Sequence, residues 1–178
     1  MTAPVFVAFD VEADGPCPGT DLYSMVSIGL VRADDPRQSF YGTFRPISER
    51  FDPQALAVSG FTREQTLAFP DAAETTAAMA AWVQGLAGGR PVAVSDNPAF
   101  DWQFLHHYLI RFTGANPFGH SARRLGDLHA GWAKDLRNTR GWTRWRTTKH
   151  THNALDDARG VAEGWQGLTR ALRDGARP

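Results

Sequence analysis

The chain has a single cysteine, Cys17, so no intrachain disulfide can staple it, and a reducing compartment is expected. No apolar run approaches the roughly 20 residues that a bilayer-spanning helix needs. The N-terminus, MTAPVFVAFD, has no basic region and meets an acid at Asp10, so it does not read as a secretion signal. Net charge is also missing: 19 Lys and Arg balance 19 Asp and Glu. These absences exclude a disulfide scaffold and a membrane span. They leave a cytoplasmic globular protein of 178 residues, a length expected to form one domain, 1–178, whose core needs no staples.

The zero charge hides an uneven spread. Arg123 to Lys149 contains eight Lys or Arg against Asp127 and Asp135, a local net of +6 that the remainder offsets with −6. Trp132, Trp142 and Trp145 lie in the same stretch. Cations on phosphates and rings on bases suit single-stranded nucleic acid. The alternative is a solvated loop with its tryptophans turned into the core. Trp142 and Trp145 are also candidates for a subunit interface, as in a homodimer, or for a substrate platform.

Element signals follow in order. Residues 4–13 form an apolar run that ends in acids and reads as a buried strand. A Gly/Pro-rich loop at 15–21 precedes strands at 23–33 and 39–47, joined by a turn at 34–38. Thr62 with Gln65 has capping-box spacing, and Asp71 with Glu74 repeats it. Ala78, Met79, Trp82, Val83 and Leu86 then mark a helical face to about residue 87. A strand at 92–95 leads to Asn97 as N-cap and Pro98 at the first position of a helix to about Arg111. Residues 113–122 read as loop, 124–137 as helix and 138–151 as irregular. The last helix starts near Asn153 and runs to about Arg173, with Ala154, Ala158, Val161, Trp165, Leu168 and Leu172 inward. Three strands, helices, a strand and more helices indicate the α/β class, a central mixed sheet flanked by helices.

The acids carry the chemistry. Asp10 and Glu12 stand two apart on a strand and therefore share a face. Two carboxylates at a buried strand end repel unless a cation lies between them, and an all-oxygen donor set selects a hard ion such as Mg²⁺ or Mn²⁺. Asp101 falls on the first turns of a helix, where the backbone N–H groups alone could also account for it. Asp156 suits the third helical position after an Asn153 cap. Asp157 shares the inward face of Ala154 and Ala158, so it needs a buried partner. His152 lies just before that helix. His150 reads as a surface histidine.

Together these residues resemble the DEDD superfamily of 3′–5′ exonucleases, the DnaQ-like group, in its histidine-containing branch. The first motif is Asp10-Val-Glu12, the second runs from Asn97 to Asp101, and the third runs from His152 to Asp157. The segments SMVSIGLV and ALAVSGFTREQT are also similar, and the likeness covers about residues 5–165. It implies an RNase H-like fold with that fold's sheet order. It implies that Asp10, Glu12, Asp101 and Asp157 ligate two divalent ions, Mg²⁺ or Mn²⁺, and that His152 is the general base. The chain departs from the pattern in two places. Ala13 and Asp14 follow the first motif where two threonines are usual, which would put an extra negative charge where substrate approaches. Ser59 stands where many members carry histidine.

Hydrolysis of a phosphodiester needs an activated water and positive charge near the leaving oxygen, and two metals supply both. A histidine, with its ordinary titration near neutrality, can take the proton of the attacking water. Ala13, Gly15 and Phe61, with Asn97, are the candidate substrate contacts, Phe61 stacking on the terminal base. The basic stretch 123–149 is a second candidate track for the strand. The expected partner is the 3′ end of single-stranded DNA or RNA, a choice that turns on a contact to the 2′-hydroxyl. The competing readings are a non-catalytic nucleic-acid-binding module of the same fold and an accessory subunit bound to a protein such as a polymerase.

Overall fold

The computed structural model describes residues 2–175. Its five strands are β1 (Val5–Ala13), β2 (Met25–Arg32), β3 (Ser39–Thr43), β4 (Pro91–Ser95) and β5 (Ala122–Arg124). They form one sheet in the order β3-β2-β1-β4-β5. The β1–β2 and β2–β3 pairs are antiparallel, and the β1–β4 and β4–β5 pairs are parallel. The helices are α1 (Pro53–Val58), α2 (Arg63–Leu67), α3 (Ala72–Gln84), α4 (Pro98–Thr113), α5 (Leu125–Ala133) and α6 (Ala154–Arg173), with a 3₁₀ turn at Gly141–Trp145. Among the described residues, no helix is long and apolar enough to cross a membrane.

The alternation along β1 splits the interior into two layers. Val5, Val7, Phe9 and Val11 pack in one cluster with Met79 and Val83 of α3 and Phe104, Leu105 and Tyr108 of α4. Ala8 packs in the other with Val161, Ala162 and Leu168 of α6, and Phe6 adds to it. Asp10 and Glu12 continue the Phe6–Ala8 face by the period of two. The two acids therefore lie at the end of the layer that α6 covers.

Three glycines let the chain before α6 lie directly on that helix. A Cβ at Gly160 would strike the Arg146 side chain, one at Gly164 the Trp142 ring, and one at Gly167 the Trp145 ring. Glu163, on the same helix, accepts hydrogen bonds from the backbone N–H and the hydroxyl of both Thr147 and Thr148, at 2.6–2.9 Å. Segment 141–149 is thus fixed to α6 by packing and by one carboxylate.

Several boundaries differ from the sequence reading, for local reasons. Residues 113–122 are not all loop, because β5 begins at Ala122, paired with β4. The helix expected over 124–137 stops at Ala133, where Lys134 adopts a left-handed backbone at φ 54° and ends it. The stretch 138–151 contains the 3₁₀ turn. The strand expected to Ile47 ends at Thr43, because the Arg45 N–H turns away to the Pro70 carbonyl. Helix α1 was not expected, although Asp52 caps it through the Gln54 and Ala55 N–H groups and Pro53 opens it. In α3, Ala78 is exposed and Ala80 packs inward. Leu172 is 57 % exposed, since α6 outruns the sheet. Trp142 is 1 % exposed and belongs to the core, so it is neither an interface nor a platform. The Thr62–Gln65 capping box is formed in both directions.

Candidate active site

Asp10 on β1 faces Gly29 across the β1–β2 ladder. A Cβ at Gly29 would collide with the backbone of Ala154 and Leu155. The missing side chain lets the start of α6 rest on the sheet beside Asp10. Asn153 fixes that start by accepting from the Leu155 and Asp156 N–H groups at 3.1 and 3.3 Å. Asp157, 1 % exposed, then points at the two β1 acids. Asp10, Glu12 and Asp157 each offer an oxygen within 4.8 Å of the others.

Asp101 reaches the cluster from the first turn of α4. It is 4 % exposed and accepts a short hydrogen bond from the Ser95 hydroxyl at the end of β4. Ser95 in turn accepts from the Asn97 N–H at 3.0 Å. Asn97 holds the N-cap position of α4, but its side chain makes no capping hydrogen bond.

Electrostatics show how uncompensated the cluster is. Burial, reinforced by Asp157 and Asp101, pushes the Glu12 carboxyl up to about 8. Burial pushes Asp101 up to about 7 against the Ser95 hydrogen bond. Asp10 rises well above the usual carboxylate range through burial and the charges of Asp101, Glu12 and Asp157, with Arg146 opposing. Carboxylates that resist ionising beside one another form a donor set that fits a hard divalent cation.

Asp157 is held by many groups. Its Oδ1 accepts from Arg146 Nη2 at 2.5 Å and from the Thr151 N–H at 3.4 Å, and lies 2.8 Å from His150 Nδ1. Its Oδ2 accepts from the His152 N–H at 3.1 Å. His150 is therefore not a bystander on the surface: it touches the third-motif carboxylate. His152 is half-exposed, has φ 56°, and places Nδ1 3.9 Å from Glu12 Oε1. A left-handed backbone at a non-glycine residue is strained, and the hydrogen bonds to Asp157 hold it.

A recess of about 430 Å³ borders Glu12 and includes Ala13, Gly15, Ala55, Val58 and Phe100 in its lining. Ala13 and Gly15, two of the candidate substrate contacts, border this recess. Phe61 does not line this recess. It packs edge-on against Phe69 with ring centroids 5.0 Å apart, and Phe100 and Val58 present the apolar surface instead. Gly15 has a second reason to lack a side chain, since a Cβ there would enter the Tyr23 ring.

The departures at Asp14 and Ser59 also resolve. Asp14 adds no charge toward substrate. It is fully buried, accepts from the Ser24 N–H at 2.5 Å, and pairs with Arg63 Nη1 at 3.2 Å. Ser59 is buried and donates to the Leu56 carbonyl at 2.7 Å. Sequence reasoning missed Arg146, His150, Ser95, Phe100 and Gly29. Phe100 adjoins Asp101 in the second motif, so proximity was a usable signal. Arg146 lies in the basic stretch 123–149, a candidate strand track, but no periodicity there pointed it at Asp157.

No family model matches the chain. The chain is 34 % identical over 167 residues to the 3′–5′ DNA exonuclease Cap18 of Escherichia coli, covering 89 % of this chain and 88 % of that protein. In fold it is similar to the nuclease domain of 3′hExo, a DEDDh family member bound to rAMP, with TM-score 0.68 and 15 % identity over 97 % of this chain and 92 % of that one. It is likewise similar to cell-death related nuclease 4, CRN-4, with TM-score 0.71 and 14 % identity over 97 % of this chain and 65 % of that one.

Proposed function

From the premise that the chain belongs to the DEDDh family of metal-dependent 3′–5′ exonucleases, we propose that it removes nucleotides from the 3′ end of single-stranded DNA in the cytoplasm. The observation that carries this reading is the convergence of acids from β1, α4 and α6, three of them with oxygens within 4.8 Å of one another. DNA is preferred over RNA because the 34 % identical relative is a DNA exonuclease.

Asp10, Glu12, Asp101 and Asp157 would hold two ions, Mg²⁺ or Mn²⁺. When bound, the ions supply the positive charge that activates water and offsets charge on the leaving 3′-oxygen. The chain's own residues do the rest. The recess beside Glu12 takes the terminal nucleoside, with Phe100 and Val58 against the base and the Ala13–Gly15 backbone against the sugar. His152 takes the proton of the attacking water. Its exposed ring on the loop before α6 leaves it free to reach that water. Asn97 and Ser95 keep Asp101 aimed inward.

The test uses 5′-labelled single-stranded DNA and RNA of one sequence, incubated with Mn²⁺ and resolved on a sequencing gel. The expected result is a ladder shrinking from the 3′ end, faster for DNA, and absent with Asp157→Ala. His152→Ala is expected to lower kcat by about 10²–10⁴-fold. Intact DNA in every lane, at protein concentrations that still retard it in a binding gel, would overturn the reading in favour of a non-catalytic binding module.

A further inference from the structure

A second concavity, of about 620 Å³, lies on the α6 side of the acid cluster. Arg140, Arg146, Lys149 and His150 line it, with Asp96 as the one acid. Two of these residues, Arg146 and His150, touch Asp157, while the nucleoside recess borders Glu12. The carboxylates therefore stand between an apolar recess and a basic groove.

The groove is built rather than incidental. Its lining includes Trp142, seated on Gly164, and the Thr147–Thr148 segment clamped by Glu163. Arg146 donates to the Thr148 and Lys149 carbonyls at 2.7 and 3.2 Å, which fixes the backbone that carries Lys149. Arg140 and Lys149 are exposed, and among the described residues neither has a carboxylate within ion-pair distance. Two unpaired cations held at a fixed wall beside a phosphodiesterase centre suit the phosphates of a chain.

We propose that this groove binds the phosphodiester backbone of the strand on the 5′ side of the bond being cut, with Arg140 and Lys149 each neutralising a phosphate. A strand whose last nucleoside fills the recess, and whose last phosphodiester lies over the carboxylates, continues into the groove. This rests on the exonuclease reading and adds to it a source of preference for longer strands. Trp142 gives no stacking surface, so the groove reads backbone charge and not bases.

The experiment measures binding of a 5′-fluorescein single-stranded DNA decamer in Ca²⁺ across a salt series. It compares the wild type, the double variant Arg140→Ala/Lys149→Ala, and a charge-matched control, Arg170→Ala/Arg173→Ala, at the other end of α6. Each single-strand phosphate contact contributes about 0.7 to the slope of log affinity against log salt. The groove variant is expected to lose about 1.4 from that slope, and the control nothing. In Mn²⁺, the advantage of the decamer over a dinucleotide in kcat/KM is expected to fall about tenfold in the groove variant. Equal losses in the two double variants, or an unchanged slope in the groove variant, would overturn the proposal. Failure of the wild type to cut either substrate would refute the exonuclease reading instead, and the slopes would still decide the groove.

Discussion

Asp14 and Asp157 are both buried aspartates with an arginine against one oxygen, Arg63 at 3.2 Å and Arg146 at 2.5 Å. Asp14 forms a closed unit. The Ser24 N–H takes its other oxygen, and Arg63 spends Nη2 on the Ser48 carbonyl at 2.7 Å. Burial pushes the Asp14 carboxyl up to about 6, with the Ser24 N–H and Arg63 opposing. Asp157 shares its arginine with Asp10, and Glu12 and Asp101 add two more carboxylates to the same cluster. If all four ionise, the group carries a net charge of about −3, which two divalent ions convert to about +1, a balance that accepts a phosphate. The first pair completes a fold; the second leaves a deficit that a metal fills.

Breaking each pair should separate these roles, and this is the largest expected effect. Arg63→Met strands a buried carboxylate and should cost about 3 kcal/mol, the low end for a broken buried pair because Arg63 keeps some exposure. That corresponds to a fall in Tm of about 6–12 °C for a chain of this size. Arg146→Met removes a cation that competes for Asp157, so Mn²⁺ should bind about tenfold more tightly by titration calorimetry. The metal-free protein should be less stable, and Mn²⁺ should restore it. Equal destabilisation by both substitutions, with Mn²⁺ affinity unchanged, would erase the distinction.

Acidity sharpens the contrast from the other side. Glu12 at about 8 and Asp101 at about 7 lie above their unfolded values of 4.5 and 3.8. A carboxyl whose folded value is raised makes the folded state bind more protons, so its contribution is present at low pH and lost as pH rises. Metal-free protein should therefore lose stability from about pH 3.8 to about pH 8, as these groups ionise. Saturating Mn²⁺ should flatten that slope, because the ionised forms then have a partner. Asp14, at about 6, contributes a smaller fall that Mn²⁺ does not remove. Thermal unfolding at half-unit pH intervals, with EDTA and with Mn²⁺, reads both parts.

The same contrast explains what was legible in the sequence. Asp10 and Glu12 were placed by the two-residue period of β1. Asp157 was placed by its position between Ala154 and Ala158 on a helix face. Both are local rules that set which way each acid faces; that the acids share one site was implied by the resemblance to the exonuclease family. The Asp14–Arg63 pair spans 49 residues, and no local rule joins its members. Asp14 therefore read as a charge facing substrate when it is a buried strut. Arg146 has no periodic context either. Its place is set by Gly160 on α6, one of three glycines, with Gly164 and Gly167, that seat Arg146, Trp142 and Trp145. Phe61 was assigned to the pocket from its neighbourhood in sequence, whereas its ring packs edge-on against Phe69 and Phe100 borders the recess.

The smallest expected effect tests how the two β1 acids and Asp157 are brought together. Gly29→Ala adds one carbon where the backbone of Ala154 and Leu155 lies, and backbone cannot swing aside as a flexible side chain can. The start of α6 must move off the sheet, at a cost of about 1–3 kcal/mol. Asp157 moves with it, while the Asp14 unit, which rests on β1, Ser24 and Arg63, does not. Activity should therefore fall by more than the loss of folded protein accounts for, with weaker Mn²⁺ binding by the fraction that remains folded. Gly42→Ala is the comparison, because the atoms it meets belong to the side chains of Thr75 and Phe40, and they can adjust. If Gly29→Ala keeps full Mn²⁺ affinity in its folded fraction, the close approach at Gly29 is packing alone, and Asp157 is positioned by its own hydrogen bonds.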